Sequence, residues 1–251
     1  MLELSEKRLN RTIVTLAWPA ILESLLQLTV YLTDSIMIGP LGTEAFAAVG
    51  QGSMLVHYIT FPLWGIGTAV GAIVSRNIGR QDRVAAEQGA GQGLLLAGLS
   101  GAIFTVVGFL YGRDILLLLG TPPEVIEPCT DYLVTVLAFN TFYSVRMVGS
   151  SILRALGDTK TPMIATAAMN VFNIAANYVL IYGIGPFPRM ETTGVALASG
   201  LSFVISAVMV CWKLFDHPGG FKLGLGNIVR LRRAVMGNIM RIAAPSCAQL
   251  Q

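Results

Sequence analysis

Long apolar runs, separated by short polar or glycine-rich stretches, make up most of this chain. The clearest runs hold at most one charged side chain each and cover residues 45–75, 89–111, 161–188 and 192–215. Each run exceeds the roughly 20 residues that a helix needs to cross a bilayer, whereas a barrel strand needs only about 10. The pattern therefore predicts six membrane-spanning helices and the start of a seventh near residue 235. The six predicted spans cover residues 12–38, 45–75, 84–111, 124–155, 161–184 and 192–214.

Polar side chains form one stripe along the first predicted span. Glu23, Gln27, Tyr31 and Asp34 recur at i, i+4, i+8 and i+11, which places them on one helix face. An ionisable side chain at the bilayer centre costs roughly 2.5 to 3.5 kcal/mol, so it is usually functional. We predict that this stripe faces a polar substrate cavity. The alternative is that both carboxylates lie near the ends of the span and contact headgroup water.

Pro19 lies in the same span and cannot donate a backbone hydrogen bond to the carbonyl of Thr15. We predict a helix bend at this proline, which would act as a hinge beside the polar stripe. The alternative is a packing role alone, because membrane helices tolerate proline.

A second polar stripe lies on the fifth predicted span. Asn170, Asn173 and Asn177 recur at i, i+3 and i+7, so their amides share a face. Amide and carboxylate oxygens are the ligands that hard cations prefer. Asp34, Asn173 and Asn177 are therefore candidates for a proton or sodium site. The alternative is that the amides join helices by hydrogen bonds, and this alternative is strongest for Asn170.

The third predicted span carries small residues at a four-residue spacing. They are Gly89, Gly93, Ala97 and Gly101. Such a column lets a second helix approach closely, so we interpret it as a packing surface.

Composition supports an all-α integral membrane protein. Hydrophobic residues make up 54% of the chain and charged residues 12%, against about a quarter charged in soluble domains. The three cysteines and two histidines match no zinc or disulfide pattern, and no nucleophile–base set or phosphate loop is present. We therefore expect neither an enzyme nor a bound cofactor. The charged start of the chain lacks the features of a cleavable signal peptide.

The distribution of Lys and Arg predicts the orientation of the helices. One side of the bundle collects thirteen of them: Lys7, Arg8, Arg11, Arg76, Arg80, Arg83, Arg154, Lys160, Lys213, Lys222, Arg230, Arg232 and Arg233. The other side holds only Arg113 and Arg189. By the positive-inside rule, the N-terminus and residues 216–233 are expected to be cytoplasmic, in a multi-pass protein of a bacterial-type plasma (inner) membrane. A nucleic-acid or lipid-binding patch at 222–233 is the rival interpretation, but the same bias recurs in every loop on that side, so no nucleic-acid partner is expected.

The end of the chain resembles its beginning. Residues 242–251 follow the pattern of residues 16–25, with Pro245 matching Pro19 and Gln249 matching Glu23. Six spans separate the two copies, and an even number restores the original direction. The sequence thus predicts a parallel repeat of two lobes with a substrate path between them. The predicted units are a six-helix lobe at 1–215, a basic inter-lobe loop at 216–233 and the truncated start of the second lobe at 234–251.

Several stretches in this order along the chain resemble the N-terminal half of the multidrug and toxic compound extrusion (MATE) transporters. They are TLAWPAILESLLQLTVYLTDSIMIGPLG (15–42), GIGTAVGAIVSRNIGRQD (65–82), ILRALGDTKTPM (152–163), NIAANYVLIYG (173–183) and GVALASGLS (194–202). The resemblance implies half of a twelve-helix, two-lobe antiporter that exports organic cations against a proton or sodium gradient. Its partners would be the lipid bilayer, small organic cations and a missing C-terminal lobe.

The resemblance also implies roles for individual residues. Asp34 and Asn173 match the cation site of the first lobe, Gln27 a cavity residue, Pro19 the bend of the first helix, and Ser199 a hydroxyl ligand of the sixth helix. Asn177 stands where one branch of the family has an aspartate, so the second carboxylate of the proton-coupled archaeal type is absent. The coupling ion, H+ or Na+, is left open.

Two other functions compete with secondary active multidrug efflux. A lipid-linked oligosaccharide flippase of the same superfamily would need several cationic side chains in its cavity, and Arg146 alone is a candidate. A non-transporting membrane scaffold subunit would leave both polar stripes without a purpose. We therefore favour antiport of organic cations or other xenobiotics.

Overall fold

A computed structural model describes residues 2–216, 221 and 223–248, with side chains described at 13–216, 221 and 223–244. Its helices are α1 (Leu2–Ile38), α2 (Thr43–Gly79), α3 (Arg83–Leu118), α4 (Pro123–Ala138), α5 (Asn140–Ala155), α6 (Lys160–Tyr182), α7 (Glu191–Phe215), α8 (Leu225–Val229) and α9 (Arg233–Ala248). A short 3-10 turn at Gly39–Leu41 joins α1 to α2. No strand occurs in the described ranges. The predicted all-α fold is confirmed.

In the part of the chain that the structure describes, five helical segments are long and apolar enough to cross a membrane. They are Ile13–Leu41, Thr43–Gly79, Arg83–Leu118, Lys160–Tyr182 and Glu191–Phe215. They correspond to five of the six predicted spans. The fourth predicted span, 124–155, is not one helix but two, α4 and α5.

The break between α4 and α5 falls at Phe139. Its backbone N–H donates to the carbonyl of Val136, three residues back, so the chain tightens locally instead of continuing the α-helical pattern. The Phe139 ring lies where a Cβ at Gly200 of α7 would stand, so only glycine fits there. Neither proline nor glycine marks the break itself, which is why the sequence predicts an unbroken span.

The two short helices nevertheless run along α3 as one traverse. Gly112 of α3 lies against Leu133 of α4, and Gly101 of α3 lies against Thr141 of α5. Because residue numbers fall along α3 while they rise along α4 and α5, the two partners are antiparallel. The chain therefore traverses the lobe six times. The six traverses are α1, α2, α3, the pair α4–α5, α6 and α7.

α1 buries few of its described side chains against the lobe. Of its residues 13–38, only Pro19, Glu23, Asp34 and Ile38 are buried, and α1 continues as helix through Pro19. Two of its backbone carbonyls accept hydrogen bonds from α6, Leu26 from Asn170 at 2.7 Å and Met37 from Tyr182 at 3.0 Å. These contacts show that α1 and α6 run parallel, as the first and fifth of six alternating traverses must.

The main hydrophobic core lies among α2, α3, α5 and α7. It also includes Phe221 and Leu223 from the stretch after α7, and Ile239 and Ala243 from α9. The predicted loop at 216–233 thus contains a short helix, α8, and buried apolar side chains. The predicted repeat at 242–251 extends beyond the described residues, and Pro245 and Gln249 are among those whose side chains are not described.

Gln92 holds the connection between α7 and α9 against α3. Its fully buried side chain donates to the carbonyls of Asn227 at 2.9 Å and Arg230 at 3.0 Å, and accepts from the backbone N–H of Arg232 at 2.8 Å. Gly91 allows this approach, because a Cβ there would meet the Asn227 backbone. The connection is therefore part of the folded lobe.

The outer surface is strongly apolar. Ile36, Phe109 and Trp212 are each 73% exposed, and many other large apolar side chains are more than half exposed. A soluble monomer rarely exposes such a continuous apolar surface. The lobe is built to face lipid.

Candidate functional site

Asp34 lies at the centre of a buried hydrogen-bond network between α1, α6 and α7. Its Oδ1 accepts from the Asn177 amide at 2.5 Å, and its Oδ2 accepts from the Ser199 hydroxyl at 3.3 Å. The Asn177 amide also donates to Asn173 Oδ1 at 3.2 Å, and the Asn173 amide donates to Ser199 Oγ at 3.2 Å. The structure thus brings together the four side chains predicted to form the ion site.

The network suits a charged carboxylate, because both Asp34 oxygens accept hydrogen bonds. One acceptor is left over, since the buried Oδ1 of Asn177 has no hydrogen-bond partner. Rotating the Asn177 amide by half a turn would aim this oxygen at Asp34. That orientation is favourable only if Asp34 carries a proton or a cation lies between the two oxygens. The side chains therefore fit either a proton or an oxygen-ligated sodium ion.

The helix packing fixes this arrangement. α6 and α7 are antiparallel, and Gly194 lies against the Leu180 carbonyl, where a Cβ would come within 2.9 Å. This close approach brings Ser199 within hydrogen-bonding reach of Asn173. The parallel pairing of α1 with α6 places Asp34 beside Asn177.

The Asp34 cavity, named after its buried carboxylate, has a volume of about 400 Å³. Gln27 and Tyr31 of the predicted stripe line it together with Asp34. Aromatic side chains supply much of the remaining wall, among them Trp64 and Tyr143. A cavity of this kind suits a flat apolar ligand that carries few polar groups.

Glu23 lines a separate cavity, the Glu23 cavity, with a volume of about 470 Å³. Its carboxylate is buried and forms an ion pair with Arg154 of α5 at 3.0 Å. Gln27 donates weakly to Glu23 at 3.4 Å. Four side chains line both cavities and so mark their junction: Gln27, Trp64, Tyr143 and Arg146.

Two predicted residues lie elsewhere. Asn170 is buried against α1, where it donates to the Leu26 carbonyl, and it lines neither cavity. The interhelical alternative describes this contact. Pro19 is buried within α1 and also lines neither cavity.

α5 carries a third polar stripe, which was not predicted from the sequence. Tyr143, Arg146, Ser150 and Arg154 recur at i, i+3, i+7 and i+11, the spacing of one helix face. All four line the Glu23 cavity. The periodicity that singled out α1 and α6 would have found this third stripe.

Comparison with known proteins gives consistent matches. The sequence profile of the family described as MatE matches residues 19–179. The chain is 27% identical over 241 residues to the probable multidrug resistance protein NorM of Thermotoga maritima, a match that covers 96% of this chain and 52% of that protein. It is 28% identical over 238 residues to an FAD transporter of Shewanella oneidensis, covering 95% of this chain and 52% of that protein.

A solved structure matches over the same extent. The outward-facing conformation of a multidrug resistance MATE family transporter of the MOP superfamily aligns with a TM-score of 0.84 at 26% identity. The alignment covers 94% of this chain and 52% of that one. The chain therefore spans about half the length of the relatives that it matches.

Proposed function

The chain belongs to the MatE family of transporters, and we propose that it forms the first of two lobes of an ion-coupled exporter of organic cations and other xenobiotics. The family match confirms the resemblance seen in the sequence, including its assignment to an N-terminal half. Relatives named as multidrug resistance proteins support export as the activity. The second lobe is the partner that this proposal requires.

The observation that carries the proposal is the buried carboxylate of Asp34. It lies among neutral donors from α6 and α7 and lines the cavity. Binding a proton or sodium ion there would weaken the hydrogen bond that Asp34 accepts from the Asn177 amide. Because this network joins α1 to α6 and α7, such a change alters contacts that hold α1 in place. An ion shifts α1 between two positions only if it binds one of them better.

The second part of the proposal concerns placement in the cell. We propose a bacterial-type plasma (inner) membrane with the N-terminus on the cytoplasmic side. The thirteen-to-two bias in Lys and Arg supports this orientation. The exposed apolar surface supports a multi-pass protein in lipid.

Export fits these residues better than the flippase alternative. The structure adds Arg154 to the cavity walls, but its charge is paired with Glu23. Arg146 alone is left as an unpaired cation among the described cavity residues. A lipid-linked oligosaccharide carries phosphates, so its transporter would need more than one unpaired cationic side chain in the cavity.

Vesicles that contain the complete two-lobe protein test the proposal. Efflux of a fluorescent organic cation such as ethidium is measured under a pH gradient and, separately, under a sodium gradient. Asp34→Asn keeps the side-chain shape and removes the charge, so we expect gradient-driven efflux to fall to the background rate. Asp114→Asn, at an exposed carboxylate of α3, is the matched control and should transport normally. Wild-type efflux by Asp34→Asn would rule out Asp34 as the coupling residue.

A further inference from the structure

Arg146 is a buried cation at the junction of the two cavities. Its side chain is 6% exposed and its Nε has no hydrogen-bond partner. Among the described residues it forms no ion pair. The Tyr143 ring lies beside it, with its centroid 5.5 Å from the guanidinium carbon. Buried polar groups are nearly always bonded to an acceptor, so this one needs an explanation.

The nearby carboxylates are already used. Glu23 accepts two hydrogen bonds from Arg154, at 3.0 and 3.1 Å. Both oxygens of Asp34 accept from α6 and α7. Glu23 is the one acidic side chain that lines the Glu23 cavity, and its two oxygens are already bonded to Arg154, so Arg146 has no carboxylate partner there. An anionic ligand in this cavity would supply the missing acceptor.

We propose that Arg146 binds the carboxylate of an aromatic, amphipathic substrate. The proposal rests on the export function and names a substrate class for it. A guanidinium offers parallel N–H groups that match the two oxygens of a carboxylate, and in a site shielded from water such bonds are strong. Trp64 and Tyr143 line both cavities beside Arg146, so a planar ring has aromatic side chains to pack against.

The position of Arg146 separates this subsite from the ion site. Arg146 lies on α5 at the junction of the two cavities, whereas the Asp34 network is built by α1, α6 and α7. The substrate carboxylate and the coupling ion therefore bind to different side chains and do not compete for one site. Compounds that carry both a carboxylate and a cationic group, and purely anionic aromatic acids, belong to the expected class.

Binding to the purified chain in detergent tests this subsite without any gradient. The probes are 2-naphthoate and 2-naphthamide, which share shape and differ in charge, and affinities are measured by isothermal titration. We expect 2-naphthoate to bind more tightly, and Arg146→Gln to weaken it by about tenfold to a hundredfold. The affinity for 2-naphthamide should change less than twofold. Arg146→Lys should have an intermediate affinity for 2-naphthoate, because it keeps the charge and loses the parallel N–H groups of the guanidinium.

Stability separates a ligand site from a structural arginine. Arg146→Gln removes an unpaired buried charge, so the thermal unfolding midpoint of the ligand-free chain should stay the same or rise. Arg113→Gln, an exposed arginine of α3, is the matched control and should leave both affinities unchanged. A fall in the unfolding midpoint with Arg146→Gln would instead assign Arg146 a structural role.

Three further results would overturn the proposal. The first is 2-naphthoate binding no more tightly than 2-naphthamide. The second is binding of 2-naphthoate by the 251-residue chain but not by the complete protein, which would mean that an acidic group of the second lobe forms an ion pair with Arg146. The third is displacement of 2-naphthoate by phosphatidylglycerol but not by benzoate, which would assign the site to a lipid headgroup. If the wild-type protein shows ion-driven efflux but does not prefer 2-naphthoate to 2-naphthamide, the subsite is refuted and the export proposal stands.

Discussion

The carboxylate of Glu23 and the guanidinium of Arg154, which are 131 residues apart in the chain, form an ion pair of 3.0 Å between α1 and α5. The two partners differ in exposure, with 4% of the Glu23 side chain exposed and 37% of that of Arg154. Removing Arg154 therefore leaves the buried Glu23 carboxylate without a partner, whereas removing Glu23 leaves an arginine that water can still reach. The pair joins α1 directly to α5.

This asymmetry predicts unequal effects of the two single substitutions. We expect Arg154→Gln to destabilise the chain by about 2 kcal/mol and Glu23→Gln by less. In detergent, the first would lower the thermal unfolding midpoint by roughly 4 to 8 °C. The double variant should recover most of the loss, because it leaves no buried charge.

The exposed pair Arg113–Glu127 supplies the control. Its atoms are 3.3 Å apart, but 54% and 70% of the two side chains are exposed. Exposed pairs contribute about 0 to 1 kcal/mol, so Arg113→Gln should change the midpoint little. An equally small effect for Arg154→Gln would show that the Glu23 pair does not stabilise the lobe.

The pair also shows what the sequence could predict. Helical periodicity found Glu23 as a buried polar residue, because that depends on one helix alone. It did not find the partner, since Arg154 also counted among the charges that set the orientation. Pairing depends on the register between α1 and α5, which no single-helix pattern contains.

The same distinction explains the other outcomes. Run length gave the number of traverses, but the break at Phe139 depends on its packing against Gly200 and carries no proline or glycine. Periodicity placed Asn173 and Asn177 on one face, and the family resemblance added Ser199. The unpartnered Oδ1 of Asn177 depends on the rotamer of its amide, which only the structure supplies.

The column of small residues on α3 makes a second prediction. A Cβ at Gly101 would stand 2.6 Å from Thr141 Cα and 3.1 Å from the Asn140 carbonyl oxygen, so backbone would have to move. We expect Gly101→Ala to destabilise the chain by about 1 to 3 kcal/mol. Gly98→Ala, one turn earlier, meets nothing within 4 Å and should be neutral or stabilising by up to about 1 kcal/mol. Thermal unfolding of the two variants checks the contrast, and equal midpoints would contradict the close packing of α3 with α5.

The contacts of Gln92 make a third prediction. Gln92→Glu keeps the shape of the side chain but loses both N–H groups that bond to Asn227 and Arg230. We expect the connection to leave α3 more often, so trypsin should cut after Arg230 several times faster. Gln88→Leu is the control, because Gln88 lies one turn away on α3 and contributes none of these bonds. Unchanged cleavage of Gln92→Glu would show that the apolar contacts of α8 suffice.

The charge bias makes a fourth prediction, about orientation. Single cysteines are placed at Thr43, Arg113 and Arg189 in a chain whose own cysteines, Cys129, Cys211 and Cys247, have been replaced. An impermeant thiol reagent added to intact cells should label all three sites, and a cysteine at Arg230 should react only after the cells are opened. Protection of the first three sites would reverse the proposed topology.

The amides around Asp34 make the last prediction, which separates a ligand role from packing. In the complete protein, we expect Asn173→Ala combined with Asn177→Ala to raise the sodium concentration for half-maximal efflux at least about tenfold, as loss of two oxygen ligands requires. Asn170→Ala is the control, because this amide belongs to the same stripe but bonds to the Leu26 carbonyl. It should lower stability and leave the sodium dependence unchanged. If the double variant keeps wild-type sodium dependence while Asp34→Asn abolishes efflux, Asp34 is the coupling residue and the two amides only pack the helices together.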